Sequence, residues 1–135
     1  MGDGHAGEAP RRIKSVVTAN EILETVRRRE DPTFTDVVDA LDAAKGTVHT
    51  YLKTLEAEGF LRRSDGIYRL GFRFVPLAET VRNETPLYRA GREEVDRLAE
   101  RTQEYVHLTV VDAGREVTID ERRGERAVAQ DYHLR

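Results

Sequence analysis

From Ser15 onward, apolar residues recur at three- and four-residue steps. Val16, Ala19, Leu23 and Val26 share one face, which predicts a helix. Thr18 and Glu21 have capping-box spacing, so the first turn is expected at either Ser15 or Thr18. The helix should stop near Glu30, because Pro32 disfavours helical geometry at Asp31. Thr33 or Thr35 can cap a second, short helix that turns Val37, Val38 and Leu41 inward. A tight connection through Asp42, Ala43 and Ala44 leads to a third helix with Val48, Leu52 and Leu55 at i, i+4 and i+7. Gly59 is expected to cap it in a left-handed conformation. Two β-prone runs, Phe60 to Arg63 and Ile67 to Leu70, then flank Ser64-Asp65-Gly66, and Asp-Gly between such runs signals a hairpin.

Three helices followed by a hairpin predict a winged helix-turn-helix within a mixed α+β chain. The second half follows another pattern. Phe72 to about Arg82 is expected as a short helix with Val75, Ala78 and Val81 in register. Pro86 can open the next helix, which carries Leu87, Ala90, Val95, Leu98 and Ala99 and ends near Thr102. Tyr105 to Val111 and Arg115 to Asp120 form a second hairpin through Asp112-Ala113-Gly114, and Val128 to Tyr132 is expected to begin a further strand. One helix and two or three strands bury little apolar area. This half is therefore expected either to pack across a dimer or to be a piece of something longer.

The chemistry is concentrated between Phe34 and Leu52. A short helix, a tight turn and a longer helix present the start of the second helix to a DNA major groove. With Val48, Leu52 and Leu55 inside, the helical wheel turns Thr47, Thr50, Lys53 and Thr54 outward, sets His49 at the flank and projects Lys45 from the first turn. Thr35 stands at the start of the preceding helix. Short hydroxyl and cationic groups of this kind suit base edges and phosphates. Glu56 and Glu58 are expected at the far end, away from the groove. Arg11, Arg12 and Lys14 can act as an arm, and Arg62, Arg63 and Arg69 on the wing can reach backbone phosphate. Arg27-Arg28-Arg29 complements the negative end of the first helix's dipole.

Charge refines this picture. Lys plus Arg total 22 against 25 Asp plus Glu, a formal net charge of -3, which excludes a generally basic nucleic-acid coat protein. Residues 1 to 75 carry 12 basic and 12 acidic groups, so binding must depend on a shaped site and on paired half-sites rather than net attraction. Only Lys14, Lys45 and Lys53 are lysines, an Arg bias that fits a GC-rich genome or a high-salt cytoplasm. The absence of Cys excludes disulfides, thiolate metal sites and a thiol nucleophile. No apolar run approaches the roughly 20 residues of a membrane span. Met1 to Pro10, rich in Gly, Ala and acids, reads as disordered and has no signal-peptide core, so the protein is expected in the cytoplasm.

Catalysis finds no support. His5, His49, His107 and His133 are scattered without metal-ligand spacing, and no glycine loop matches a phosphate-cradling motif. Neither Ser15 nor Ser64 has a nucleophile-elbow context. Asp120-Glu121, flanked by Arg122-Arg123, reads as a charged turn rather than a carboxylate pair. No catalytic residue, metal site or cofactor is assigned.

Residues 15 to 71 resemble the N-terminal domain of IclR-type transcription regulators. The marks are Lys45-Gly46-Thr47-Val48-His49 followed by Tyr51-Leu52 and Leu55, then Glu58-Gly59-Phe60-Leu61, and the ending Tyr68-Arg69-Leu70-Gly71. Val95, Leu98-Ala99, Tyr105-Val106-His107-Leu108 and Val110-Val111 resemble the opening of the family's effector-binding domain. The resemblance implies a disordered arm at 1–12, a winged helix-turn-helix at 13–71, a linker helix at 72–85 and a partial α/β effector-type domain at 86–135. It implies a prokaryotic regulator that binds a palindromic double-stranded operator as a homodimer or tetramer, paired through the linker helix. The DNA contacts would be Lys45, Thr47, His49, Thr50 and Lys53, with Thr35, Arg62, Arg63, Arg12 and Lys14. The chain departs from the family at Asp42, where Gly is usual, at Ala43, where a larger apolar residue is usual, and at Thr50, where Arg is usual. The parts that shape the family's small-molecule pocket lie mostly beyond Arg135, so no effector is assigned. The alternative is a winged-helix interaction or dimerisation module, an antagonist of a longer regulator, that never reads DNA.

Overall fold

The computed structural model describes residues 11–127, so the expectations for Met1 to Pro10 and for a strand at Val128 to Tyr132 lie outside the described residues. The chain divides into two compact units between Phe74 and Val75. In the first, α1 (Lys14–Arg28), α2 (Phe34–Ala40) and α3 (Lys45–Ala57) precede the strands β1 (Leu61–Ser64) and β2 (Ile67–Leu70).

Helix α1 buries Ile22 and Val26, with Ala19 and Leu23 packed at the flanks. Val16, expected on the buried face, is 65% exposed. The helix starts from Ile13 with no side-chain cap, so Thr18 and Glu21 lie inside it and their spacing caps nothing. It ends at Arg28, and Asp31 then takes φ 49, turning the chain into the buried Pro32.

Thr33, not Thr35, caps α2. Its hydroxyl accepts from the Asp36 amide at 3.4 Å, while the Asp36 carboxylate accepts from the Thr33 amide at 2.8 Å. The Thr33 hydroxyl, the Thr33 amide and then Arg29 hold the Asp36 carboxyl below the usual aspartate range. Thr33→Ala is expected to cost about 1 kcal/mol, read as a lower Tm. The folded state depresses the Asp36 pKa, so the carboxylate's contribution is present above the ordinary value of about 3.9 and lost as pH falls through the folded value. Asp36→Asn should therefore flatten the acid limb of the Tm–pH curve.

Val48, Leu52 and Leu55 of α3 are buried as their spacing requires. Gly59 at φ 77 terminates the helix, and the Phe60 amide donates back to the Leu55 carbonyl at 2.8 Å. The hairpin loop is two residues, Asp65-Gly66 at φ 51 and 81, a pairing of left-handed conformations that matches strand twist. Ser64, expected in the turn, belongs to β1 and pairs with Ile67. Leu61 and Tyr68 close the core from the hairpin, and the Tyr68 amide donates to the Pro32 carbonyl at 2.8 Å.

The second unit holds almost all of α4 (Phe74–Glu84), then α5 (Pro86–Thr102), β3 (Tyr105–Asp112) and β4 (Arg115–Arg123). Helix α4 begins two residues later than expected and buries none of its side chains. Pro86 opens α5, Val95 and Ala99 are buried, and Gln103 at φ 61 ends the helix. Leu98, expected inside, is 38% exposed. The antiparallel β3–β4 hairpin turns at Ala113-Gly114, with a bulge between Leu108 and Thr109. Helix α5 packs on both strands, where a Cβ at Gly91 would stand 3.0 Å from Leu108 Cδ2.

Asp120 is not in a charged turn. It lies within β4, 7% exposed, opposite Leu108. Arg122 donates to Asp120 at 2.7 Å and to Asp96 of α5 at 2.6 Å, and the bond to Asp120 is the main cause raising the arginine's pKa. Strand alternation puts Asp120 and Arg122 on one face of β4, where α5 supplies the counter-carboxylate.

Candidate nucleic-acid interface

Helix α3 exposes Lys45, Gly46, Thr47, His49, Thr50, Lys53 and Thr54 along the surface that its buried residues leave outward. At 100° per residue, Thr50 stands almost opposite the mean direction of Val48, Leu52 and Leu55. The N-cap Ala44 contributes no side-chain bond, and the first turn of α3 contains no acid. Its amide groups and Lys45 thus form a positive terminus.

Several expected side chains already have partners. Thr50 donates its hydroxyl to the Gly46 carbonyl at 3.0 Å, and Thr54 donates to the Thr50 carbonyl at 2.8 Å. Lys53 pairs with Glu56 at 3.3 Å, so Glu56 sits within one turn of a proposed contact rather than remote from the face. The imidazole of His49 meets Phe34 edge-on at 6.3 Å, which anchors it toward α2. Thr35 is exposed in the first turn of α2.

On the wing, Arg62 Nε donates to the Leu70 carbonyl at 3.2 Å and its guanidinium lies 4.7 Å from the centre of the Phe72 ring. Arg63 stacks over Tyr68 at 5.3 Å, and burial pushes the Tyr68 phenol up from its usual range against the pull of Arg63. Arg69 differs from both. It forms an ion pair with Asp31 at 2.5 Å, which fastens the hairpin to the α1–α2 connection and compensates the charge expected to meet phosphate. Nothing in local spacing signals that pair, whose members lie 38 residues apart. Helix α3 packs against β1, the strand that carries Arg62 and Arg63. Arg12 and Lys14 are exposed at the start of α1, and no hydrogen bond, ion pair or ring contact among the described residues joins them to α3.

Ion pairing divides the twelve cationic side chains before Val75 evenly. Arg27, Arg28, Arg29, Lys53, Arg69 and Arg73 are each paired with a carboxylate. Among the described residues Arg11, Arg12, Lys14, Lys45, Arg62 and Arg63 form no ion pair, and these are the arm, first-turn and wing cations. An overall neutral unit thus keeps its uncompensated positive charge in three places.

Three helices followed by a hairpin that completes their core define a winged helix-turn-helix. Residues 15–65 match the model described as the IclR helix-turn-helix domain, and this stretch is a domain of that family. Over 127 residues the chain is 42% identical to a probable HTH-type transcriptional regulator, ArcR, of Halobacterium salinarum, covering 93% of this chain and 48% of that protein. It is 28% identical over 118 residues to the HTH-type transcriptional regulator XynR of Escherichia coli, covering 85% of this chain and 47% of that one. The fold is shared with an IclR transcriptional regulator from Alicyclobacillus acidocaldarius, at TM-score 0.71 and 24% identity over 83% of this chain and 47% of the other. The chain therefore spans about half the length of the curated relatives it matches. Those relatives are named as regulators, not enzymes. No helix among the described residues is long and apolar enough to cross a membrane.

Proposed function

We propose that this chain is a sequence-specific, DNA-binding transcription regulator of the IclR type that reads a palindromic operator as a dimer in the cytoplasm. The observation that carries this reading is the set of cations that form no ion pair among the described residues, Lys45 on α3 and Arg62 and Arg63 on the wing, together with an acid-free first turn of α3. In this reading Thr47, His49 and Thr50 face the major groove with Thr35 at its edge, Arg62 and Arg63 meet phosphate, and Arg12 and Lys14 extend contact along the backbone. Lys53 contributes less than its position suggests, because Glu56 already neutralises it. Residues 13–71 bind DNA, 72–85 link, and 86–135 open an effector-type domain for which we assign no ligand. The test is titration of the full chain into labelled duplex DNA. The reading expects retention that weakens linearly in log Kd against log salt, and absence of retention at low salt contradicts it.

Pairing falls to α4. Val75, Leu77 and Val81 are 58%, 49% and 61% exposed, an apolar excess that a solvated helix does not need. Leu77 and Val81 lie one turn apart on the same face. Leu77→Gln combined with Val81→Gln is expected to shift sedimentation from dimer to monomer without loss of helical circular dichroism. An unchanged dimer mass would place pairing elsewhere.

A further inference from the structure

We propose that Thr50 reads a thymine through its methyl group, making the centre of the α3 face an apolar reader of the thymine 5-methyl rather than a hydrogen-bond donor. This rests on the DNA-binding reading above and specifies the base at one position. Thr50 occupies the middle of the outward face of α3, yet its hydroxyl proton is committed to the Gly46 carbonyl at 3.0 Å. Thr54, one turn on, is committed in the same way to the Thr50 carbonyl at 2.8 Å. With those protons used inside the helix, neither side chain keeps a donor for a purine N7 or O6 or a thymine O4; the oxygens can still accept, and both exposed residues carry a methyl. Thr47 differs: among the described residues its hydroxyl has no hydrogen-bond partner, so it keeps both donor and acceptor for a base edge.

Access favours Thr50. The residue one turn before it on the same face is Gly46, and a Cβ added there would meet nothing within 4 Å. No side chain at that position stands between the first turn and a duplex, so the helix can approach closely enough for the Thr50 methyl to meet the groove floor. In the major groove only thymine presents a methyl, and threonine methyl is one of its natural partners.

The experiment uses the full chain and an operator recovered by selection, with each thymine replaced singly by uracil, which removes only the 5-methyl. Wild-type affinity should fall by about fourfold at one thymine per half-site, the worth of one methyl removed from water. Thr50→Val, which keeps a methyl and loses the hydroxyl, should show the same penalty at the same position. Thr50→Ser, which keeps the hydroxyl and loses the methyl, should bind thymine and uracil operators alike. Indifference of the wild type to uracil at every position overturns the proposal, as does a penalty that persists in Thr50→Ser or vanishes in Thr50→Val. If no operator is recovered, the DNA-binding reading fails and takes this assignment with it, whereas a recovered operator indifferent to uracil overturns the methyl reading alone.

Discussion

Replacing Gly71 with Ala is expected to lower the stability of the N-terminal unit steeply. Gly71 is buried where the chain leaves β2, and its amide donates to the Phe60 carbonyl at 2.7 Å. A Cβ there would overlap the Gly59 carbonyl oxygen and stand 2.8 Å from Gly59 C and 2.9 Å from Phe60 C. All three obstacles are backbone, so no side chain can rotate away. The helix end and the wing would have to separate, opening the core that Leu61 and Tyr68 complete. We expect a loss of about 3 kcal/mol or more, the upper range for overpacking. For a unit of this size that lowers Tm by more than about 12 °C. Gly59→Ala is the internal control. Gly59 holds φ 77, but an added Cβ would meet only Arg73 Cβ at 3.7 Å, so only the left-handed backbone cost of about 1–2 kcal/mol applies. Thermal melts of both variants check the ranking, and a milder Gly71→Ala would show that this junction is not tightly packed.

The second large effect falls on DNA. Lys45→Ala, Arg62→Ala and Arg63→Ala together should weaken duplex binding by at least about a hundredfold, since each removes a charge-assisted phosphate contact. The slope of log affinity against log salt should fall by about 0.9 per lost contact and protomer. Stability should fall only modestly, because all three side chains are exposed and the losses are the Arg62 bond to the Leu70 carbonyl and the stacking of Arg62 on Phe72 and Arg63 on Tyr68, each worth about 0.5–1 kcal/mol at an exposed site. Arg69→Ala should behave in the opposite way, loosening the hairpin by losing Asp31 while leaving the salt slope nearly intact. Filter binding at four salt concentrations, beside thermal melts, separates these patterns. Equal slopes for wild type and triple variant would remove these cations from the interface.

What could be read from the chain was local. The stripe Val48, Leu52 and Leu55 named the buried face of α3, and Asp65-Gly66 named the hairpin because both positions need left-handed backbone that few residues tolerate. Gly59 was legible for the same reason. Where several readings fitted the same letters, the sequence could not choose. Thr18 with Glu21 has the spacing of a cap but lies mid-helix, while the working cap is Thr33 with Asp36. Non-local pairs left no local trace. Asp31 takes Arg69 away from the expected phosphate-facing group, and Asp96 joins Arg122 to turn an apparent charged loop into a strand face. Hydroxyl direction is equally silent in the letters. Thr47 and Thr50 look alike in sequence, and only the bond from Thr50 to Gly46 separates them.

The central claim is that this chain reads a specific, two-fold symmetric DNA sequence. Selection-sequencing of genomic fragments on the purified full chain, at two salt concentrations, tests it most directly. The account predicts one enriched inverted repeat, with half-sites about one helical turn or a multiple of it apart, whose recovery falls at the higher salt. No enrichment at either salt would contradict it.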